Sequence, residues 1–220
     1  GETCVTTTWI QLCAQLLRLT GDLLHGAEIE RSLYNHLAAA QRPDGAQWCY
    51  YTELEGRKPY TPGINCCVSS GPRAMATSPS LAALRDGDAG IVINLLESFD
   101  AEVRLPKGKT TVRQRVVWRD DAVEVRLSTT PRTREPLRIR WRMPAWLGGG
   151  ERVAAGAFRD GFVAPVRVRP IAGDHGNAGR NAYAFGPWVL ACEASGGVPA
   201  PTRAVVKETP HPVGGRRFLA

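Results

Sequence analysis

Val112-Arg113-Gln114-Arg115-Val116-Val117-Trp118-Arg119-Asp120-Asp121-Ala122-Val123-Glu124-Val125-Arg126-Leu127 is the stretch that decides the fold class. Its ends, 112–118 and 123–127, carry the β-branched and aromatic content of strands, and Arg119-Asp120-Asp121 between them reads as a turn. The same grammar extends in both directions. Residues 91–96, 101–105, 137–143, 162–168, 182–185 and 188–192 also have strand character. Turn signals separate them: Pro106-Lys107-Gly108, Pro144, Gly148-Gly149-Gly150 and Asp160-Gly161. Short strands at this spacing predict a β-sandwich or barrel. From about Ser195 the chain is rich in Pro and Gly and reads as an irregular tail.

Upstream of 83–90 the pattern is helical. Residues 4–20 predict a helix with Val5, Trp9, Leu12, Leu16 and Leu19 on one apolar face. Gly21 is placed to end it, and Asp22 to cap a second helix that runs to about residue 40 with Ile29, Leu33 and Leu37 inward. Pro43-Asp44-Gly45 is a turn signal, and Trp48-Cys49-Tyr50-Tyr51-Thr52 has strand composition. Residues 53–64 read as a loop that delivers Cys66 and Cys67, with a third helix over 69–77 and Pro72 in its first turn. The organisation expected is therefore 1–85 helical, 86–194 β-sandwich and 195–220 tail. About three helices cannot close a core alone, so their apolar faces need partners beyond these residues. With no initiator Met, the sequence reads as a piece of a longer protein.

Composition narrows the function classes. The 220 residues are 43% hydrophobic and 22% charged, ordinary for a globular protein, and no apolar run is long enough to span a membrane. No leader is visible, which favours a cytoplasmic location. The formal net charge of +7 is carried mostly by Arg. Arg113 and Arg115, Arg138, Arg140 and Arg142, and Arg167 and Arg169 alternate as solvated strand faces do, rather than forming one patch. No nucleic-acid motif spacing is present, so no nucleic-acid partner is expected. His175 and His211 fall in Gly- and Pro-rich loops and read as idle.

The six cysteines, Cys4, Cys13, Cys49, Cys66, Cys67 and Cys192, do not resemble a disulfide framework in a chain this rich in core residues. Glu2 and Cys4, one residue apart at a helix start, can turn toward a common ion. Cys66 and Cys67 add two sulfurs. One carboxylate and three thiolates make a four-coordinate set that suits Zn²⁺. Against this stands the reading of an adjacent Cys pair as small buried hydrophobes or as a redox-active dithiol. Cys13 and Cys192 read as core packing, and alternation points Cys49 away from Tyr50.

Glu2-Thr3-Cys4, Trp9, Leu16-Leu17-Arg18-Leu19-Thr20-Gly21-Asp22, Ile29-Glu30-Arg31-Ser32-Leu33-Tyr34-Asn35, Pro43-Asp44-Gly45, Tyr50, Leu54-Glu55 and Asn65-Cys66-Cys67 occur in that order. This succession resembles glycoside hydrolase family 127, the β-L-arabinofuranosidase-like family. Leu137-Arg138-Ile139-Arg140-Trp141-Arg142-Met143-Pro144-Ala145-Trp146 and Phe185-Gly186-Pro187-Trp188-Val189-Leu190 resemble its β-sandwich. The resemblance implies an α+β multidomain fold: the C-terminal helices of an (α/α)6 barrel followed by an antiparallel β-sandwich. It implies a retaining glycosidase acting on arabinofuranose-containing or related oligosaccharides. Zn²⁺ would be held by Glu2, Cys4, Cys66 and Cys67, with Cys66 as the nucleophile. Glu30 and Tyr50 would line the sugar pocket. The acid/base glutamate of the family lies upstream of the Glu-x-Cys motif, so the resemblance implies an inactive fragment of an active parent. Two plainer readings stand beside these roles: Glu30 as a helix-surface carboxylate paired with an Arg, and Tyr50 as a core aromatic. Trp118, Trp141, Trp146 and Trp188 read as sandwich core more readily than as a sugar platform. The rival function is a noncatalytic carbohydrate-binding or structural β-sandwich module.

Overall fold

The computed structural model describes residues 1–53, 58–60, 62–88, 90–133, 136–191, 211–213 and 217–219. The expectations for Leu54-Glu55 and Cys192 lie outside the described residues. Helices α1 (Thr3–Thr20) and α2 (Leu23–Arg31) form a hairpin. Gly21 ends α1 at φ 66°, a left-handed conformation in which a Cβ is costly, and its N–H bonds the Leu17 carbonyl. Asp22 caps α2 by accepting the Leu24 N–H at 2.9 Å. The helix continues through a π-helical segment, Ser32–Leu37, into a last turn, α3 (Ala38–Ala40). Helix α4 (Cys66–Thr77) packs against α1.

The buried face of α1 is not the one its large residues mark. Thr3, Thr7, Ile10, Cys13, Ala14 and Leu17 are inward, while Val5, Trp9, Leu12 and Leu19 are exposed. The inward stripe is mostly of small side chains, which lets α2 and α4 approach closely. Its two hydroxyls are satisfied by carbonyls, Thr3 donating to Cys49 at 2.8 Å and Thr7 to Thr3 at 3.0 Å. Ile29, Leu33 and Leu37 are buried as the periodicity requires. Residues 48–52 are not a regular strand; they join their neighbours through isolated bridges, Gln41 to Trp48, Cys49 to Tyr60 and Glu2 to Tyr51.

The β region builds two four-stranded sheets. One has the order β1 (Ala83–Asp86), β2 (Gly90–Ile93), β6 (Arg138–Arg142), β7 (Glu151–Ala155). The other has β3 (Phe99–Leu105), β4 (Gly108–Trp118), β5 (Ala122–Thr133), β8 (Phe158–Pro165). A three-stranded sheet joins β9 (Val168–Ala172), β10 (Asn181–Phe185) and β11 (Trp188–Val189). A small hairpin, β12 (His211–Val213) and β13 (Arg217–Leu219), places His211 in a strand and gives part of the expected tail regular structure. The sandwich is not purely antiparallel, since β2 and β6 run parallel. Between them the chain builds β3 to β5 in the facing sheet and returns in the same direction, the long connection that a parallel pair requires. Asp160-Gly161, expected as a turn, lies inside β8.

The first sheet is the middle layer. Ile91, Ile93, Ile139 and Trp141 face Val112, Val123, Val125 and Leu127 of the second sheet. Leu84 and Leu95 instead join Ile10, Leu17, Ile29 and Leu37 of the helices. Strand β2 is buried at all four positions because both of its faces are covered. This arrangement overturns the solvated reading of Arg142, which lies under α2 with its side chain 3% exposed. Its guanidinium pairs with Glu30, and its Nε donates to the Asn94 carbonyl at 2.7 Å and to Asn94 Oδ1 at 3.0 Å. Asn35 makes a second clasp: its Nδ2 donates to the Pro187 carbonyl at 3.0 Å, and its Oδ1 accepts the Val189 N–H at 2.7 Å.

Candidate metal centre

Two chain ends of secondary structure meet at the site. Asn65 caps α4 by accepting the N–H groups of Cys67 at 3.0 Å and Val68 at 3.1 Å, so Cys66 and Cys67 are its first two helical residues. The helix therefore starts at Cys66 rather than at 69. Pro72 consequently sits inside the helix, where it forgoes one intrahelical bond. Opposite, Gly1–Thr3 pair with 50–52: the Thr3 N–H bonds the Tyr50 carbonyl at 3.0 Å, and the Thr52 N–H bonds the Gly1 carbonyl at 3.0 Å. This pairing sets Glu2 and Cys4 beside Tyr50. Trp48 is held flat on Gly71 of α4, where an added Cβ would stand 2.2 Å from the indole.

Glu2, Cys4, Cys66 and Cys67 converge. One ligand atom from each lies within 4.8 Å of all the others. The Cys4 and Cys67 sulfurs are 3.4 Å apart, and those of Cys66 and Cys67 are 3.9 Å apart. A tetrahedral ion with Zn–S bonds of about 2.3 Å has S···S edges of about 3.8 Å. The two distances bracket that edge, so the donor set and its spacing fit a tetrahedral metal. Cys67 is fully buried, Cys4 and Glu2 are half-buried, and Cys66 is exposed. The outermost sulfur is thus the one that an incoming molecule can reach.

The thiols differ electrostatically. Hydrogen bonds from Cys4 and then Tyr50 hold the Cys66 thiol below its ordinary range. Burial, with a contribution from Cys4, pushes Cys67 up to about 12. The Tyr50 hydroxyl in turn is pushed well above its usual range by its hydrogen bond to Cys66 and the charge beside it. Of this adjacent pair, Cys66 ionises first. The start of a 12-residue helix adds a favourable dipole for a thiolate there.

Not every expected residue is gathered here. Glu30 lies at the helix–sheet junction, where one oxygen pairs with Arg142 and the other accepts the Trp146 indole N–H at 3.0 Å. It is buried, so it is not the surface carboxylate of the plainer reading, although the Arg partner is present. Cys13 and Cys49 are fully buried in the helical core, and burial raises both thiols. Trp118, Trp141, Trp146 and Trp188 pack within or against the sandwich core.

Two supports had not been read from the sequence. Ser70 accepts from Cys4 Sγ at 3.4 Å and from Arg73 Nη2 at 3.1 Å; its place one helical turn beyond Cys66 was the available signal. His36 ties down the chain next to Glu2. Its Nε2 donates to the Gly1 carbonyl at 2.8 Å, which leaves Nδ1 of a neutral ring to accept from Thr6 at 2.8 Å. Burial lowers its pKa and keeps the ring neutral.

The model of the β-L-arabinofuranosidase GH127 catalytic domain matches residues 1–80. Among solved structures the chain is similar to a GH127 β-L-arabinofuranosidase from Geobacillus stearothermophilus T6, with TM-score 0.69, 20% identity, and coverage of 86% of this chain and 36% of that one. A second GH127 β-arabinofuranosidase gives TM-score 0.71 and 21% identity, again over 86% of this chain and 36% of the other. A third structure, a glycoside hydrolase, gives 0.69 and 20% over 86% and 37%. The chain thus spans little more than a third of the length of these structures. No curated protein matches it. No described helix is long and apolar enough to cross a membrane. Residues 1–80, which contain all four converging ligands, are thus the part of the chain that is similar to the GH127 β-L-arabinofuranosidase catalytic domain.

Proposed function

We propose that this chain supplies the metal–thiolate half of a retaining β-L-arabinofuranosidase-like glycosidase, with Zn²⁺ as the metal and Cys66 as the nucleophile. The observation that carries the reading is the convergence of Glu2, Cys4, Cys66 and Cys67 within 4.8 Å, inside the matched family region. A bound zinc ion would keep the thiols deprotonated at neutral pH. Cys67 and Cys4 hold the cluster from its buried side, and Tyr50 orients the Cys66 sulfur through its hydroxyl. The Cys66 sulfur then attacks the anomeric carbon of an arabinofuranoside. The bond to the aglycone oxygen breaks, that oxygen takes up a proton from a general acid, and a glycosyl thioether forms on Cys66. Water cleaves the thioether in a second displacement, which restores the original configuration.

The general acid is not among the described residues that converge at the cluster, so the 220 residues alone are expected to be inactive. Glu30 is proposed to line the sugar pocket: a carboxylate bonded once through each oxygen retains lone pairs for a sugar hydroxyl. The exposed stripe of Val5, Trp9, Leu12 and Leu19 supports packing of α1 in a larger helical assembly such as the (α/α)6 barrel. The test is trapping. A slow aryl β-L-arabinofuranoside incubated with the full-length protein should add one pentosyl mass to the peptide bearing Cys66. Turnover with no label on that peptide, or label elsewhere, would overturn the assignment.

A further inference from the structure

The outer face of the second sheet carries a feature separate from the thiol cluster. Register and alternation place Arg104, Lys109 and Arg132 side by side across β3, β4 and β5, all exposed. Four residues further along the sheet, Arg113 stands opposite Ser128, and Ser128 opposite Arg159. The next row sets Arg115 directly against Arg126, with Gly161 beyond it. The arginines at 113 and 115 therefore do belong to a cluster, contrary to the dispersal read from the sequence. Arg113, Arg115, Arg126, Ser128, Arg159 and Gly161 border an open groove of about 610 Å³.

Like charges directly opposite on neighbouring strands are destabilising, so the Arg115–Arg126 pair opposes the fold's own stability. Carboxylates offset part of the charge: Glu102 bonds Lys109 at 2.6 Å, Asp100 bonds Arg115 at 2.6 Å and lies 3.9 Å from Arg113, and Glu124 bonds Arg126 at 2.6 Å, while Asp160 at the groove edge is taken by Arg152 at 3.1 Å. Arg159 at the groove wall has no acidic partner among the described residues. Gly161 keeps the groove open, because a Cβ there would lie 2.8 Å from the Val125 carbonyl and 3.3 Å from Arg126 Cγ. Between the basic rows the outward positions are Glu102, the partner of Lys109, and two hydroxyls, Thr111 opposite Thr130, with Ser128 beside them.

We propose that this face binds an acidic polysaccharide, a chain of uronate sugars lying across the strands. Guanidinium forks match carboxylates in a bidentate manner, and within a row neighbouring strands stand about 4.8 Å apart. The interleaved hydroxyls suit sugar hydroxyls. Single-stranded nucleic acid would call for exposed aromatic platforms, and duplex DNA for an element that enters a groove; the outward positions of these strands hold Val117 and Val163 instead. The choice of a glycan rests on the glycosidase reading of the helical part.

Affinity electrophoresis of the full chain through gels containing polygalacturonate tests the proposal. Retardation is expected with polygalacturonate and not with neutral linear arabinan, and it should fall with added salt. Arg126→Gln with Arg159→Gln should weaken binding about tenfold or more. Arg85→Gln with Arg138→Gln, two exposed arginines on the other sheet, serves as the charge-matched control and should leave binding unchanged. No variant should unfold at a lower midpoint than the parent, and relief of the Arg115–Arg126 repulsion should not lower it. No retardation, an equal loss in the control, or tighter retention by single-stranded DNA would overturn the proposal. Metal content of the same samples separates the two readings: zinc without glycan retention sinks this one alone, and retention without zinc sinks only the metal–thiolate function.

Discussion

Arg142→Ala tests how the helical layer is fastened to the sandwich. The Glu30–Arg142 pair is buried on both sides, at 8% and 3% side-chain exposure. Removing the guanidinium leaves a buried carboxylate with only the Trp146 indole, and it strips two hydrogen bonds from Asn94. Breaking a buried pair in this one-sided way costs about 3–5 kcal/mol. In a chain of this size that lowers the thermal midpoint by about 6–20 °C. Replacing both partners, as Glu30→Leu with Arg142→Met, removes the stranded charge together with the pair and should cost far less than the single change. The assay is urea unfolding of the parent, Glu30→Leu, Arg142→Met and the double variant in a double-mutant cycle, with Arg142→Ala measured beside them. The reasoning is refuted if Arg142→Ala costs under about 1 kcal/mol, or if the coupling energy is below about 0.5 kcal/mol, the range of independent sites.

Three further outcomes follow from the same geometry. Asn65→Ala removes the acceptor of two N–H groups at the start of α4 and should cost about 1 kcal/mol in urea unfolding. Gly71→Ala drives a methyl into the Trp48 indole and should cost about 1–3 kcal/mol, with weakened metal retention because Trp48 anchors the segment bearing Tyr50. In metal-free protein the lowered Cys66 thiol should alkylate faster than Cys67 near neutral pH, with the rate falling as pH drops through the Cys66 pKa. Tyr50→Phe removes a bond that favours the thiolate, so the Cys66 rate at neutral pH should fall; peptide mapping after timed iodoacetamide treatment reads both effects.

The ligand set of the site was legible mainly through the family resemblance, because the spacing of Glu2, Cys4, Cys66 and Cys67 alone leaves a buried pair or a dithiol open as well. Glu2 and Cys4 open α1, and Asn65-Cys66-Cys67 carries a cap and the two thiols it positions. A helix with Pro72 in its first turn starts near residue 69, whereas the Asn65 cap starts α4 at Cys66. The face of α1 was misread because its bulky residues point outward, and which stripe is buried is decided by the neighbours α2 and α4 rather than by hydrophobicity alone. Arg142 looked solvated because alternation assumes one wet sheet face. The helices cover that face here, and only a long-range partner, Glu30, makes the burial tolerable. The parallel β2–β6 pair and the grouping of Arg113 with Arg159 depend on strand order, which no local pattern encodes.

The measurement closest to the central claim is the metal content of purified protein, by atomic emission, for the parent chain and for Cys66→Ala and Cys67→Ala variants. The account expects about one zinc per chain in the parent, from four ligands in one tetrahedral set, and loss of that zinc in both variants. A folded parent that neither carries nor takes up zinc, or variants that keep it, would contradict the convergence of Glu2, Cys4, Cys66 and Cys67 on one ion.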